Sequence, residues 1–218
     1  MQTVDMLLRE AEIAHGHLCA GQILGVRMAM LGCSLLGIDD PRGLESPADR
    51  KRLVTFVEID RCATDAIAVV TGCRLGKRAL KFRDWGKMAA TFVDLGSPVD
   101  LERAARGEAR AIRIAARESS KGRAREMYPE MTDKNQAQMR AYREMADEEM
   151  FAEEWVSVPL DAREMPGYKS ARMACAECGE GINYDREVVR EGRLLCLGCA
   201  DRAGRYYRVV GRGGALGG

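Results

Sequence analysis

The stretch LVTFVEIDRCATDAIAVV (residues 53–70) decides the fold, because it predicts a strand followed directly by a helix. Residues 53–59 are rich in β-branched and aromatic side chains, which favours a buried strand. Residues 64–70 then predict a short helix. The junction carries the thiol of Cys62 and the carboxylate of Asp65, at the kind of strand end where open sheets place their ligands. The stretch therefore predicts a sheet with a ligand-bearing edge.

The segments on either side predict further helices and strands. Residues 4–14 have apolar side chains at helical spacing, and residues 20–36 are almost continuously apolar, as expected of a central buried helix. Residues 78–83 and 89–94 predict two strands, and the turn residues between them predict that these strands form a hairpin.

The middle third of the chain is highly charged and contains no cysteine. Residues 100–117 and 133–151 predict two helices, each with an aspartate at its amino-terminal end. Residues 155–160 predict an edge strand, because Pro159 lacks an amide donor for a second neighbour. Together with the preceding segments, this predicts an α+β core with a mixed or antiparallel sheet and flanking helices.

The composition is that of a globular protein, with 46% hydrophobic and 31% charged residues among 218. The net charge of +1 provides no global attraction for polyanions. The longest apolar segment, residues 23–38, is interrupted by Arg27 and is shorter than the roughly 20 residues of a membrane span. The first ten residues lack the pattern of a secretory signal. We therefore expect a cytoplasmic protein without membrane contact.

The most specific motif is a pair of Cys-x-x-Cys sequences, Cys175–Cys178 and Cys196–Cys199, separated by 17 residues. Two such knuckles supply four thiolates to one tetrahedral ion, and this spacing is typical of a structural zinc site. An iron site and a redox dithiol are the alternatives, but a redox motif needs only one pair. The sequence therefore predicts a small four-cysteine zinc finger over residues 170–212, after a core and helical connector over residues 1–165.

A short basic and aromatic tail follows the second knuckle. Its members are Arg202, Arg205, Tyr206, Tyr207, Arg208 and Arg212. This composition fits a nucleic-acid contact, a protein interface or a tail that is simply solvated. Residues 172–212 hold eight arginines and six acids, and a zinc tetrathiolate adds about two negative charges. The near-neutral sum favours the protein partner over nucleic acid.

A second group of metal-binding side chains lies near the amino terminus, in His15-Gly-His17-Leu-Cys19. His15 and His17 are the two histidines of the chain. An extended segment would direct His15, His17 and Cys19 to one side, whereas a helix would bring only His15 and Cys19 together. Cys62, Asp65 and Cys73 are the further ligand candidates, and the ion would be a transition metal, with zinc among the choices. The alternative is that both histidines have purely structural partners.

Three blocks of this sequence resemble the E-subunit family of formylmethanofuran dehydrogenase. They are HGHLCAGQILGVRMA (residues 15–29), EIDRCATDAIAVVTGCRLGKRAL (residues 58–80) and DWGKMAATF (residues 84–92). The blocks CAECGE and LCLGCA are similar to the zinc finger of DksA/TraR-type proteins. The resemblance implies an α+β domain whose metal or ligand pocket is lined by the His-x-His-x-Cys segment and the later cysteines. It also implies an intertwined homodimer.

Three functional hypotheses follow, of which the third, regulation through nucleic acid, rests only on the finger and its arginines. The first is a dimeric zinc-binding protein with an accessory, metal-handling or regulatory role, since no Ser/His/Asp or paired-carboxylate arrangement has convincing spacing. The second is an oxidoreductase subunit, or a related enzyme, of the molybdenum or tungsten formylmethanofuran dehydrogenase type. In it the core pocket would be catalytic, with Asp65 or His15 as the acid–base group. The chain is too short to house a molybdopterin enzyme by itself.

Overall fold

A computed structural model describes residues 2–45 and 50–210 of the chain. Contacts divide the chain into two compact units, residues 1–167 and residues 168–218. The first unit combines helices with a five-stranded sheet, and the second contains short strands and a helical turn around the four late cysteines. The chain thus has an α+β core and a finger-like unit.

The first unit contains seven α-helices within its described residues. They are α1 (Val4–His15), α2 (Ala20–Leu36), α3 (Cys62–Thr71), α4 (Leu101–Ala105), α5 (Ser119–Met127), α6 (Lys134–Glu144) and α7 (Asp147–Met150). The central helix α2 has 17 residues and is buried on most sides. It packs with α1, α3 and the later helices in one apolar cluster against the sheet, as its nearly continuous apolar sequence predicts.

The sheet is mixed, with the strand order β2-β1-β3-β4-β5. Its strands are β1 (Leu53–Val57), β2 (Leu80–Phe82), β3 (Ala89–Asp94), β4 (Arg110–Ala116) and β5 (Phe151–Trp155). Strand β1 pairs in parallel with β2 and antiparallel with β3, and the remaining pairs are antiparallel. The observed sheet confirms the predicted fold class.

The predicted hairpin of residues 78–94 is wrong, although both of its strands exist. Strands β2 and β3 lie on opposite sides of β1. The turn between them crosses the end of β1, where the amides of Trp85 and Lys87 both donate to the carbonyl of Glu58. The two strands are separated because β1, which is largely buried, lies between them and pairs with both.

The predicted helix over residues 100–117 is also wrong beyond its first turn. It ends at Ala105, Gly107 adopts a φ of 74°, and strand β4 follows. The alternation in β4 directs Ile112 and Ile114 into the helix-side core, and this burial outweighs the helix propensity of its alanines and arginines.

The predicted helix over residues 133–151 divides into α6 and α7. The edge strand is β5, at residues 151–155, instead of the predicted residues 155–160. Pro159 therefore lies after the strand, and the sheet ends at a strand rich in acidic residues.

The second unit contains two small hairpins and one helical turn. Strand β6 (Met173–Ala174) pairs with β7 (Gly181–Ile182), and β8 (Val188–Arg190) pairs with β9 (Arg193–Leu195). Helix α8 covers Leu197–Ala200. Across both units, the helices in the described part of the chain are too short or too polar to cross a membrane.

Candidate metal centres

The four finger cysteines lie together, two on the turn after β6 and two at the start of α8. Their sulfur atoms are all within 4.8 Å of one another. The Cys178 and Cys196 sulfurs are 4.0 Å apart. A zinc ion with Zn–S bonds of about 2.3 Å requires tetrahedral S–S separations of about 3.8 Å. The described geometry therefore fits a tetrathiolate zinc site and confirms the predicted four-cysteine cluster.

The backbone of the finger favours a thiolate at Cys175. Amide groups of Cys178 and Cys196 donate to its sulfur and lower the pKa of Cys175 to about 6. The second of these bonds is 3.3 Å long. By contrast, burial and then the neighbouring Cys196 thiol raise the pKa of Cys199. A bound cation is therefore needed to hold all four sulfurs as thiolates.

Arginines of the basic tail are partly used inside the finger. The guanidinium Nη2 of Arg205 donates to the Cys199 sulfur at 2.9 Å. Arg202 forms an ion pair with Glu177 at 2.7 Å. Tyr206 is 97% exposed, while Arg212 lies outside the described residues. The tail thus provides a hydrogen-bond donor, Arg205, to the Cys199 sulfur. Its composition alone does not indicate this role.

Removing the Arg205 donor is expected to weaken zinc binding, because a donor to a ligand atom stabilises the ligand's charged form. Arg205→Met retains the aliphatic stem and should raise the zinc dissociation constant about 10- to 100-fold, measured by competition with a chromophoric chelator. Arg208→Met is the matched control, since Arg208 is an exposed arginine of the same tail. Equal affinities for the two variants would contradict a role for Arg205 at the cluster.

The second candidate centre lies where α2 and α3 begin. Cys19 is the N-cap residue of α2, and Cys62 is the first residue of α3. Both cysteines lie beside Gly21: a methyl group there would lie 3.3 Å from Cys62 Cβ and 3.7 Å from Cys19 Sγ. The structure therefore brings together two cysteines that are 43 positions apart in sequence.

Burial and the Cys19 thiol both raise the pKa of Cys62. The buried side-chain amide of Gln22 links α2 to the start of α3, since its Nε2 donates to the Cys62 carbonyl at 2.8 Å. The sequence analysis missed Gln22, because nothing local to residue 22 indicates a contact with residue 62.

The two histidines precede Cys19 in sequence, and their rings lie next to each other. His15 ends α1, and Gly16 turns the chain with a φ of 94°. The His15 Nδ1 lies 2.8 Å from an Asp65 oxygen, and the ring of exposed His17 lies 4.8 Å from that of His15. Asp65 follows Cys62 by three residues on α3, so both lie on one helix face. Five candidate residues thus collect at one end of the core.

Within residues 2–45 and 50–210, the finger cysteines are the one group of three or more such ligands gathered within 4.8 Å. The core residues instead form two pairs, Cys19 with Cys62 and His15 with Asp65. The structure does not bring Cys73 to them, because α3 places it about 15 Å from Cys62. The Cys73 thiol instead donates to the Leu53 carbonyl at 3.4 Å inside the apolar core.

Comparison with protein families gives two matches. A family model described as FmdE, molybdenum formylmethanofuran dehydrogenase operon, matches residues 14–153. The model of the prokaryotic dksA/traR C4-type zinc finger matches residues 166–203. The second match includes all four finger cysteines. The first includes the core ligand candidates His15, His17, Cys19, Cys62 and Asp65.

Individual proteins of known sequence or structure are also similar to this chain. A curated Archaeoglobus fulgidus protein, described as a probable S-adenosyl-L-methionine-binding protein, is 30% identical over 227 aligned positions. The alignment covers 95% of this chain and 55% of the relative, so the chain spans about half of that protein.

The second relative is a solved structure, that of a tungsten formylmethanofuran dehydrogenase E-subunit (FmdE)-like protein from Syntrophus aciditrophicus. It superposes with a TM-score of 0.59 at 17% identity, covering 94% of this chain and 95% of that one. This match shows a shared fold.

Proposed function

Because the chain belongs to the FmdE family, we propose that it is an accessory protein that handles a transition metal, with a structural zinc in the finger. The observation that carries the proposal is that Cys19 and Cys62 lie beside the same residue, Gly21, at the starts of two helices. Burial raises the pKa of the Cys62 thiol, so a cation that binds there must displace the thiol proton to obtain a thiolate ligand. The adjacent imidazoles add ligands suited to zinc and related ions.

The arrangement of the core ligands in pairs supports a handling role. A structural zinc site gathers four ligands tightly, as the finger does. At the core the ligands are arranged in pairs, with His15 against Asp65 at 2.8 Å and exposed His17 at the surface beside His15. The ligands of such a site come together only when an ion binds. A site of this kind suits exchange of the metal ion more than its permanent retention. The ion would be held by Cys19, Cys62 and the nearby histidines, with Asp65 orienting His15.

Metal content of purified variants tests this proposal. The parent protein should carry about two transition-metal ions per chain by elemental analysis, and Cys62→Ser should lose one while retaining the finger zinc. Cys73→Ser is the matched control, since Cys73 lies at the opposite end of the same helix and should keep both ions. A Cys62→Ser protein with undiminished metal content would contradict the core site.

A second candidate function is catalytic, as a subunit of, or an enzyme related to, molybdenum or tungsten formylmethanofuran dehydrogenase. The favouring observation is the 2.8 Å contact between His15 and Asp65, which orients an imidazole for proton transfer. Cobalt(II) substituted at the core distinguishes the two candidates by its visible spectrum. A spectrum that shifts on adding azide indicates an open position and favours catalysis, whereas an unchanged spectrum favours handling.

Homodimer formation and a protein partner for the finger belong to the same proposal. Large apolar side chains of the finger are exposed, including Val189 at 64%, Leu197 at 63% and Tyr206 at 97%. Exposed apolar side chains of this size are available for protein contacts. The eight free thiols agree with a reducing, cytoplasmic location. The S-adenosyl-L-methionine binding of the Archaeoglobus relative is not included, because much of that protein lies outside the match.

A further inference from the structure

The sheet face opposite the helices is covered over only part of its area. Val54, Val93 and Ala111 form one row across β1, β3 and β4 and belong to an apolar cluster with loop residues. The next row on that face, Phe56–Thr91–Arg113, lines a cavity of about 300 Å³. The cavity therefore has a rigid floor made of three paired strands.

The charges at this cavity are compensated. Arg113 donates from Nε and Nη2 to the two oxygens of Glu58 at 2.7 and 2.8 Å, and from Nη1 to Glu154 at 2.9 Å. Arg83, at the rim, pairs with Glu164 at 2.5 Å. Since each lining cation already has a carboxylate partner, a charged ligand would lose its hydration without gaining a counter-ion. The cavity is suited to a neutral ligand.

The remaining walls are apolar and aromatic. The rings of Phe56 and Trp85 line the cavity together with Val156 and Val158. Trp85 is 63% exposed although it borders a concave site. Aromatic walls favour planar rings, which stack on or meet the edges of such side chains. The cavity volume is at the lower end of the range for small-molecule sites, so one or two fused rings match it in size.

One polar group in the cavity lacks a partner within the described residues. Thr91 is only 7% exposed and lies on the cavity floor, and its hydroxyl makes no hydrogen bond to any described residue. The hydroxyl is not one of the fully enclosed polar atoms that lack a partner, so it can be reached from the cavity. The hydroxyl can donate to, or accept from, a heteroatom at the edge of a ring. Thr91 thus marks where a polar atom of a ligand would lie.

We propose that this cavity binds a neutral planar heteroaromatic molecule of one or two fused rings, hydrogen-bonded to Thr91. The walls formed by Phe56 and Trp85 contact its ring, and the compensated Glu58–Arg113 pair forms the floor. The site lies on the sheet face opposite α2 and α3, so it shares no residue with either metal centre. It is a further binding site and does not depend on metal handling by the core.

Tryptophan fluorescence of the full chain tests the site directly. Trp155→Phe leaves Trp85 as the remaining one of two tryptophans, and adenine and adenosine serve as neutral ring probes. We expect a saturable change in Trp85 emission. Thr91→Val should raise the dissociation constant about fivefold or more, the usual effect of losing one hydrogen bond. Thr55→Val is the matched control, because Thr55 is buried on β1 and contacts Cys73 on the helix side; it should leave the constant within about twofold.

Circular dichroism establishes that each variant is folded, and Thr91→Ser, which keeps the hydroxyl, should bind like the parent. Three results would overturn the proposal. They are no saturable emission change with either probe at millimolar concentration, equal weakening by Thr55→Val and Thr91→Val, or tighter binding of adenosine monophosphate than of adenosine. The last result would show that the site prefers an anion. None of these readouts depends on the metal content of the core.

Discussion

Replacing Cys175 with alanine is expected to release one zinc ion per chain and to unfold residues 168–210. The buried apolar cluster of the finger contains only Ile182 and Leu195 besides Cys175 and Cys199. So small a core cannot stabilise a fold by itself. Structural zinc supplies about 10–16 kcal/mol in comparable finger peptides. Elemental analysis and limited proteolysis followed by mass spectrometry measure the two effects.

Cys33→Ala provides the control for this change. Cys33 is fully buried on α2, within the apolar cluster of the first unit. Its loss should reduce the stability of that unit slightly while leaving the zinc content and the protease resistance of the finger unchanged. A Cys175→Ala protein that keeps its zinc and resists proteolysis in residues 168–210 would contradict the assignment of the finger.

Gly25→Ala should lower the free energy of unfolding of the first unit by about 3 kcal/mol. A methyl group at this position would lie 2.4 Å from the Ala63 carbonyl oxygen and 2.8 Å from Ala63 Cα. Both atoms belong to the backbone of α3, so the two helices must move apart. Cys19 caps the start of α2 and Cys62 begins α3. The same change should therefore also weaken the core metal site. Urea denaturation and metal content report the two effects.

The same substitution in an open position serves as the comparison. Gly122 is an exposed residue of α5, and a methyl group there would meet nothing within 4 Å. Gly122→Ala should therefore stabilise the protein by roughly 0.5–1 kcal/mol through helix propensity. If Gly25→Ala proves as harmless as Gly122→Ala, the close crossing of α2 and α3 is wrong.

The finger could be predicted from sequence because its information is local. Each Cys-x-x-Cys forms its own turn, so the spacing of Cys175, Cys178, Cys196 and Cys199 specifies the cluster once both turns meet. Strand β1 and helix α2 were predictable for a similar reason, since their apolar patterns are strong over their whole length. The sequence pattern does not predict the hydrogen bond from Arg205 to the Cys199 sulfur, because Arg205 belongs to a tail with the composition of an exposed segment.

The sheet order and strand β4 depended on burial that no local pattern specifies. Residues 110–116 combine alanine and arginine, which favour helices, with isoleucines whose alternation suits a strand. Burial of Ile112 and Ile114 decides in favour of the strand. The ion pairs of Arg113 with Glu58 and Glu154 add to it, and both partners are far away in sequence. Likewise, strands β2 and β3 are neighbours in the chain but not in the sheet.

The core cluster could be predicted in part. The concentration of metal-binding residue types predicts His15, His17 and Cys19 as ligands. The strand-to-helix junction predicts Cys62 and Asp65. Which thiols meet, however, is decided by the crossing of α2 and α3 at Gly25. Both Cys62 and Cys73 are ligand candidates by sequence, but Cys62 begins α3 and Cys73 lies just beyond its other end, so only Cys62 lies near Cys19.

A crystal structure of the metal-loaded protein, with anomalous scattering measured across the zinc and iron absorption edges, tests the central claim most directly. We expect one ion bound by Cys175, Cys178, Cys196 and Cys199, and a second ion within bonding distance of the Cys19 and Cys62 sulfurs. Anomalous density at the finger alone, with Cys19 and Cys62 bound to no ion in the loaded crystal, would contradict it.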